Sequence, residues 1–420
     1  MQKLIFFGFF TGLLSLLAAC GNKEPLVTPP PPPPIDTQAN FKVLWQTPLQ
    51  SDTGQYTAWG QVVTDGGNII YSINWTSPLP TVGMRNGETG ALIWEQQFPS
   101  RGFLNDNFYN INNKIVISDW SETQVWDVAS GSVDWAYKVP ESGYGMVTCN
   151  VINDQIYKVV APGGPPYNPS STLLRTHYQS NQWDTVLTLN YENDGFFINM
   201  YPPVLWINPQ GDSILVFQEG GLRESGGFNG GKNRASVYAY NLRSRQLEWV
   251  RKNIDPAGGI TTAKPLVDGD RLYINGVRTL HCFDLNTGNT IWQKEFPEAI
   301  MDGNITVYKN TLMVPSTQIG MWGVDKQTGS ILWYNKDVDG NVLLVVQFDG
   351  IVYCTSTGYA RLYAVNAETG ATIWKENSPN RNSRHPNASF AFAGIAIDTV
   401  NRKLYTADKY YLMCIALPEK

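Results

Sequence analysis

The stretch Phe283-Asp284-Leu285-Asn286-Thr287-Gly288-Asn289-Thr290-Ile291-Trp292 carries the signal that decides the fold. Its aspartate can accept hydrogen bonds from the backbone of the turn that follows. Its glycine suits the positive φ that a tight hairpin needs. Its tryptophan offers a large apolar face on the next strand. The stretch therefore predicts a β-hairpin whose second strand carries a packing tryptophan.

The same phrase recurs along the chain in a fixed register. Val324–Gly329 precede one tryptophan and Val365–Gly370 precede another, while the copy near Tyr178-Gln179 has lost the Thr-Gly signature. Most copies are separated by about forty residues, which is the length of a four-stranded propeller blade. Each copy therefore predicts the last strand of one blade. The tryptophans assigned to this position are Trp45, Trp94, Trp135, Trp183, Trp249, Trp292, Trp333 and Trp374.

A small or modest side chain precedes most of these tryptophans at a constant interval. We expect this position to form a slot that receives the tryptophan of an adjacent blade, since a large ring needs a small neighbour to pack closely. The residues at this position are Val125, Ala239, Cys282, Gly323 and Ala364.

The two ends of the repeat region complete each other. The C-terminus offers three strands, at Phe392 to Asp398, Lys403 to Asp408 and Tyr411 to Leu417, and lacks a final tryptophan strand. Phe41 to Gln46 is a lone strand with Trp45. Pairing the two protects both edges. The sequence therefore predicts an all-β fold over residues 41–420: an eight-bladed β-propeller of four-stranded antiparallel blades, closed by the N-terminal strand joining the last blade.

Residues 1–19 read as an export signal. Lys3 precedes the apolar run from Leu4 to Leu17, which is too short for an ordinary membrane-spanning helix. The tetrapeptide Leu17-Ala18-Ala19-Cys20 resembles the lipobox of bacterial lipoproteins, which implies that Cys20 is the lipid-modified first residue of the mature protein. An ordinary cleaved signal with an incidental cysteine is the alternative. Gly21 follows in place of the aspartate of an inner-membrane retention signal, so the outer membrane is favoured.

Residues 20–40 form a tether between this anchor and the folded domain. Pro29 to Pro34 is an unbroken proline run, which favours a stiff polyproline II spacer. A proline-rich recognition motif is the alternative interpretation of the same run.

Composition narrows the functional class. The chain has 420 residues, a net charge of −5 and no basic stripe, so we expect no nucleic-acid partner. Four cysteines follow Cys20 without CxxC or adjacent pairs, and we expect them to be buried free thiols, although a disulfide is open in an oxidising compartment. They are Cys149, Cys282, Cys354 and Cys414.

The Asp-x-x-Thr-Gly-x-x-x-Trp phrase, the eight units and the closing strand resemble the eight-bladed quinoprotein-type (PQQ-like) propellers. With the lipobox, the chain is similar to the BamB-type lipoproteins of outer-membrane protein assembly. The resemblance covers residues 41–417. It implies a lipid-anchored monomeric propeller that binds an envelope protein, such as a component of β-barrel assembly, and it specifies function less well than fold.

The long connections predict a binding face. Antiparallel blades place the connections between second and third strands on the same side as those between blades, and the long segments fall into these two sets. They are Asn74 to Pro80, Pro162 to Ser171, Tyr191 to Tyr201, Glu219 to Arg234 and Glu376 to Ser389. Aromatic residues and arginine are the usual anchors of interfaces. The candidate contact residues are Trp75, Phe103, Tyr144, Tyr167, Phe196, Phe197, Tyr201, Arg223, Phe228 and Arg384.

The sequence favours a non-catalytic scaffold over an enzyme. No vicinal cysteine pair, CxxCH motif, metal-ligand triad or nucleophile motif is present, so we assign no catalytic, cofactor-binding or metal-binding residue. A PQQ-dependent dehydrogenase is the enzymatic alternative, with Asp302 or Asp339 as imaginable calcium ligand or base, although surface turns are the simpler interpretation of both. A glycan-binding or ligand-binding envelope module is the third hypothesis.

Overall fold

A computed structural model describes the protein at residues 41–49, 62–73, 81–98, 108–118, 122–139, 149–161, 170–190, 196–223, 234–255, 264–300, 303–340, 342–391 and 394–418. The chain divides into residues 1–36 and 37–420, and all described residues belong to the second unit. The predicted signal peptide, Cys20 and the predicted tether therefore lie outside the described residues and stay predictions. None of the described residues forms a helix with the length and hydropathy that a bilayer span needs.

The described residues form antiparallel strands that follow one another in groups along the chain. The first strand is β1 (Lys42–Pro48). The first blade is β2 (Val62–Asp65), β3 (Asn68–Ile73), β4 (Thr81–Asn86) and β5 (Leu92–Gln97). The second is β6 (Phe108–Ile111), β7 (Lys114–Ser118), β8 (Glu122–Asp127) and β9 (Val133–Lys138). The third is β10 (Cys149–Ile152), β11 (Gln155–Val160), β12 (Ser170–His177) and β13 (Asp184–Asn190).

The fourth blade has an extra strand, and the remaining blades return to the regular pattern. The fourth is β14 (Phe196–Met200), β15 (Val204–Ile207), β16 (Ser213–Arg223), β17 (Arg234–Asn241) and β18 (Gln246–Arg251). The fifth is β19 (Leu266–Asp268), β20 (Arg271–Asn275), β21 (Thr279–Asp284) and β22 (Thr290–Glu295). The sixth is β23 (Thr306–Tyr308), β24 (Thr311–Pro315), β25 (Ile319–Asp325) and β26 (Ile331–Asp339).

The last two groups complete eight sheets. The seventh blade is β27 (Val342–Phe348), β28 (Ile351–Ser356), β29 (Leu362–Asn366) and β30 (Thr372–Glu376), and the eighth contains β31 (Ile395–Asp398), β32 (Lys403–Ala407) and β33 (Tyr411–Ala416). Six of these sheets pair their four strands in sequence order, while in the fourth both β14 and β15 pair with β16. The fold is therefore the all-β, eight-bladed propeller that the repeat predicts.

The fourth strand of the eighth blade comes from the other end of the domain. β1 pairs antiparallel with β33, with Trp45 opposite Cys414 and Gln46 opposite Met413. This is the pairing that the sequence predicts for the N-terminal strand. A β-bulge between Val43 and Trp45 shifts the register, as it does beside the tryptophan in the other regular blades.

The first strand of each blade lies innermost. β2 contacts both β6 and β31, and β27 contacts both β23 and β31, so neighbouring blades meet through their first strands. The fourth strands lie outermost and leave apolar side chains such as Leu92 and Leu332 about half exposed. The core lies between consecutive sheets, where most side chains of the middle strands are buried.

The Thr-Gly turn forms as its residues predict. In the fifth blade Asp284 Oδ1 accepts hydrogen bonds from the Thr287 amide at 2.8 Å and from its hydroxyl at 2.9 Å. Gly288 has φ of 68° and donates its amide to the Asp284 carbonyl at 2.7 Å. The aspartate therefore fixes the turn, and the glycine supplies the left-handed conformation.

Most of the outer-strand tryptophans pack on the turn of the next blade. The Trp249 ring lies against Gly288, where an added Cβ would be 2.6 Å from the ring, and its Nε1 donates to the Leu285 carbonyl at 2.7 Å. The equivalent ring–glycine pairs are Trp45 with Gly90, Trp94 with Gly131, Trp292 with Gly329 and Trp333 with Gly370. Glycine is required here because the ring occupies the space of a side chain.

The prediction that these small residues receive the tryptophan of an adjacent blade is wrong. The small residue of the third strand faces the tryptophan of its own blade, as Gly323 faces Trp333 and Ala364 faces Trp374. A Cβ on Gly323 would lie 2.1 Å from its own blade's Trp333 ring. The constant interval between the small residue and the tryptophan thus reflects a cross-strand pair within one hairpin. On the next blade, the tryptophan packs against the turn glycine.

Trp183 does not occupy the position that the repeat predicts. It precedes β13, and Asp184 is the residue that pairs with Arg175 of β12. The other seven tryptophans lie within an outer strand opposite the third strand. The turn of the third blade is longer and lacks Thr-Gly, so Trp183 belongs to that turn. Its ring lies 6.3 Å from that of Trp135, where the other junctions place a glycine.

Candidate functional site

The long connections join strand ends on one face of the propeller. In an antiparallel blade, the connection between the second and third strands and the connection to the next blade leave from the same side, while the other two turns leave from the opposite side. All five predicted long segments are connections between second and third strands or connections to the next blade. We call this side the long-loop face and the other side the turn face.

The fourth blade extends toward the long-loop face as a sheet. β14 pairs with the distal half of β16, so that Phe196 is opposite Arg223 and Met200 is opposite Glu219. Phe196, Phe197 and Arg223 are therefore strand residues, where the sequence predicts loops. Gly220 and Gly221 weaken the strand signal, but their backbone amides and carbonyls pair as well as those of any residue.

Tyr201 is not a surface contact residue, so this assignment is wrong. Its side chain is 5% exposed, and its amide donates to the Gln218 carbonyl at 2.9 Å. The backbone pairing of β14 thus continues past Met200 and turns the ring inward. Burial, with the nearby Glu219 carboxylate, raises the pKa of the Tyr201 phenol above its ordinary value.

Six other predicted positions lie outside the described residues. They stay predictions, and five of them belong to the candidate binding face. They are Cys20, Trp75, Phe103, Tyr144, Tyr167 and Phe228.

The connection between the seventh and eighth blades carries Arg384 and is fastened by a buried carboxylate. Asp408 is 1% exposed, and its Oδ2 accepts hydrogen bonds from the Ser378 hydroxyl and from Asn380 Nδ2 at 2.9 Å. The His385 ring lies 4.4 Å from that of Tyr410. Arg384 is exposed at this ordered segment of the long-loop face.

A central cavity lies among the inner strands. It has a volume of about 500 Å³ and is lined by β2, β6, β10 and β31, with Val62, Phe108 and Ile395 among the apolar residues. The described lining residues carry neutral side chains. Its size falls in the range of small-molecule sites.

Lys264 reaches across the inner strands. From the segment before β19, its Nζ lies 2.7 Å from Tyr109 Oη and 3.4 Å from Asn150 Oδ1, and 4.7 Å from the centre of the Tyr109 ring. The Tyr109 hydroxyl donates to the Cys149 carbonyl at 2.7 Å. The lysine thus connects the fifth blade to the second and third. The sequence offers no local signal for this contact, because it depends on the arrangement of blades far apart in the chain.

Asp339 lies in a buried ion pair and not in a surface turn. It ends β26, is 8% exposed, accepts the Ser356 hydroxyl at 2.6 Å, and lies 3.5 Å from Arg361 Nη1. These contacts join the end of β26 in the sixth blade to the connection between β28 and β29 in the seventh. Asp302 lies outside the described residues. Within the part of the chain that the structure describes, no three His, Cys, Asp or Glu side chains gather in a group suited to a metal ion.

The four domain cysteines are buried and none is in a disulfide, as predicted. Burial raises the pKa of the Cys149 thiol to about 11 and that of Cys414 to about 12. They are therefore protonated, poorly nucleophilic core residues at neutral pH.

The fold and repeat define a PQQ-like, eight-bladed β-propeller. Residues 233–348 match the family model described as "Outer membrane protein assembly factor BamB". The chain resembles BamB in this repeat and in its architecture. Against the crystal structure of BamB from Moraxella catarrhalis it has a TM-score of 0.58 and 14% identity, covering 90% of this chain and 98% of that one.

The same architecture occurs in enzymes. A europium-containing methanol dehydrogenase has a TM-score of 0.65 at 10% identity, covering 90% of this chain and 93% of that one. The quinohemoprotein alcohol dehydrogenase from Comamonas testosteroni has a TM-score of 0.64 at 13% identity, covering 91% and 78%. At these identities the likeness shows the fold alone.

Sequence relatives match over part of the chain. An uncharacterized protein of Rickettsia prowazekii (strain Madrid E) is 24% identical over 181 residues, which are 40% of this chain and 42% of that protein. The tetrathionate hydrolase of Acidithiobacillus ferrooxidans is 24% identical over 139 residues, which are 33% and 24% of the two chains. The matched region spans less than half of each relative.

Proposed function

We propose that the protein is a non-catalytic, lipid-anchored, monomeric propeller that binds a protein partner in the bacterial envelope and acts in outer-membrane protein assembly. The observation that carries this proposal is the long-loop face, where an extended fourth blade and a fastened connection stand on a rigid frame. Rigid frames with surface connections are a common basis of binding sites. The similarity to BamB supports the choice of an assembly partner.

The connection that carries Arg384 is suited to binding because its conformation is set before a partner arrives. The Asp408 carboxylate and the His385–Tyr410 stack order this segment, so a partner need not order it on binding. Arginine contributes a planar cation that pairs with carboxylates and stacks on aromatic rings.

The test is site-specific photo-crosslinking in intact cells. A photoreactive amino acid replaces Arg384 on the long-loop face, and the matched control replaces Val400, which is 86% exposed in the turn between β31 and β32 on the turn face. We expect a crosslink to an outer-membrane assembly component from position 384 and not from position 400. Equal crosslinking from both positions, or none from 384, would contradict the proposal.

The anchor is tested separately. Cys20→Ser removes the proposed acylation site, so the variant should lose labelling by a clickable palmitate analogue and leave the outer-membrane fraction. Gly21→Ser is the control, because it leaves the acceptor cysteine in place. Membrane retention by the Cys20→Ser variant would show that the anchor is elsewhere.

The central cavity supports a second candidate, a site for a small envelope ligand such as a glycan or PQQ. Its volume of about 500 Å³ would hold such a molecule. PQQ with calcium is titrated and followed by absorbance, and reduction of a dye by an added alcohol is measured. Binding with dye reduction would replace the scaffold proposal by a dehydrogenase, whereas glycan binding alone would indicate a recognition module.

A further inference from the structure

The junction between the third and fourth blades lacks the tryptophan that fills the other regular junctions. The pairing that places Cys282 opposite Trp292 in the fifth blade places Arg175 opposite Asp184 in the third. Aspartate cannot cover the next blade as an indole does, so the third blade presents no ring at this position.

The turn of the fourth blade that would contact this tryptophan has also lost its glycine, and Arg245 stands in its place. Arg245 donates its amide to the Asn241 carbonyl and has φ of 57°, as Gly288 does in the fifth blade. Glycine is no longer needed, because no ring from the third blade lies against the turn. Tryptophan and glycine are thus lost together, which indicates a rebuilt junction.

The rest of the tryptophan's surroundings is retained. Tyr157 occupies the strand position of Tyr273 and Tyr405, whose rings lie 5.9 Å and 6.2 Å from Trp292 and Trp45. Leu242 occupies the position of Leu285, whose carbonyl accepts the Trp249 indole. The aromatic floor and the backbone acceptor position of a tryptophan site are therefore both present.

A groove of about 380 Å³ opens at this place on the turn face. Tyr157, Arg175 and Leu242 line it, together with Leu205 and Ser213. Elsewhere in this junction the two blades are joined directly, because the Tyr240 hydroxyl of the fourth blade donates to the Val186 carbonyl of the third at 3.1 Å. The groove therefore corresponds to the space between blades that an indole fills elsewhere.

We propose that this groove is a docking site for an aromatic side chain, tryptophan above all, presented by an extended segment of a partner polypeptide. The other junctions of this chain show which group fits between a tyrosine floor and the following blade. Arg175 adds a guanidinium, which stacks favourably on aromatic faces. Gln155, Asn153 and Ser213 offer donors and acceptors for the backbone of such a segment. The site lies on the turn face and does not rest on the function proposed for the long-loop face.

The test uses the full mature chain and the tripeptide Gly-(5-fluorotryptophan)-Gly, followed by fluorine NMR line broadening. A refilled variant, Arg175→Ala with Asp184→Trp and Arg245→Gly, restores the repeat's own residues. We expect it to bind the probe at least about tenfold more weakly than the unmodified chain, a difference of roughly 1.4 kcal/mol. It should also melt at a higher temperature, since its own indole covers the junction.

Two further variants make the result decisive. Trp333→Ala empties a regular junction and is the positive control for probe binding in such a space. Arg175→Glu leaves the groove open but reverses its charge, so it should weaken binding even if the refilled variant does not fold. Binding by the Trp333→Ala variant without binding by the unmodified chain, or equal binding by the refilled variant, would overturn the proposal.

Discussion

A single pair of residues joins most neighbouring blades. The indole of one blade covers the turn glycine of the next and donates to a carbonyl of the same turn. Burial of a tryptophan contributes several kcal/mol before the cost of ordering the chain, so this contact is a large part of each junction's stability.

The ring–glycine contact can be separated from backbone strain by two matched substitutions. Gly370 and Gly211 both have positive φ, at 72° and 81°, but only Gly370 faces a ring, with Trp333 2.5 Å from an added Cβ. Gly211→Ala should cost about 1–2 kcal/mol for the left-handed backbone. Gly370→Ala should cost about 1–3 kcal/mol more, because the ring must move. Urea unfolding measures the free energy of unfolding of both variants. Equal losses would show that the Trp333 ring moves aside at no cost.

His281 should make stability depend on pH. Its side chain is 2% exposed, and its Nε2 has no hydrogen-bond partner among the described residues. Burial lowers the pKa of His281 below its ordinary value of 6.5, although Asp255 opposes the shift. The folded protein therefore binds fewer protons than the unfolded chain below pH 6.5, and its stability should fall as the pH drops.

The matching variant is His281→Phe, which keeps a flat ring beside Phe283. The limiting slope for one histidine is about 1.4 kcal/mol per pH unit, and the variant should lose this component of the decline. Denaturant unfolding at several pH values below 6.5 gives the comparison. Parallel profiles for the variant and the unmodified protein would assign the decline to other groups.

At the scale of elements, the regular hairpins could be predicted and the irregular ones could not. The turn chemistry around Asp284 and Gly288 is local, so the sequence carries it completely. The extended fourth blade is different, because β16 continues through Gly220 and Gly221 only where β14 and β17 supply partners. The repeat pattern misplaces Trp183 for a related reason. A tryptophan after a turn resembles the repeat, while its strand register is set by pairing.

The position of the candidate site could be predicted from the sequence, but the exposure of its individual residues could not. Alternation between short turns and long connections gives the long-loop face from sequence alone. Whether a residue on that face is exposed depends on tertiary contacts, and Tyr201 is buried although it lies in a predicted loop. The Lys264 contact could not be predicted because it joins distant blades, and the rebuilt third junction could not because it depends on the strand register around Asp184.

The connection after β30 should loosen when its carboxylate is removed. Asp408→Ala leaves the Ser378 hydroxyl and the Asn380 amide without their acceptor, at a cost of about 1–3 kcal/mol. Amide hydrogen exchange should increase across residues 377–391. Asp398→Ala is the control, because that carboxylate caps only the turn at Val400 and Asn401. Unchanged exchange in the connection would mean that other contacts hold it.

At the scale of the whole molecule, the two ends of the domain stabilise each other through β1 and β33. A chain that begins at Gln46 loses half of the paired positions of β1 and the ring that covers Gly90, whereas a chain that begins at Phe41 keeps both. We expect the shorter chain to melt at a lower temperature and to associate, because an uncovered strand edge pairs with other chains. Thermal unfolding and size-exclusion chromatography compare the two. Equal melting temperatures and elution volumes would show that β1 is dispensable.

Because β1 pairs with β33, the two ends of the domain lie side by side, and the sheets do not depend on where the polypeptide begins. Connecting them through a short flexible linker and cutting instead at Asp349-Gly350, the hairpin between β27 and β28, would preserve every strand partner. In such a circular permutant, the blade built from both ends of the chain would be the seventh and no longer the eighth. The order in which blades leave the ribosome, and the blade from which any leader or tether departs, could then be varied without changing the packed structure.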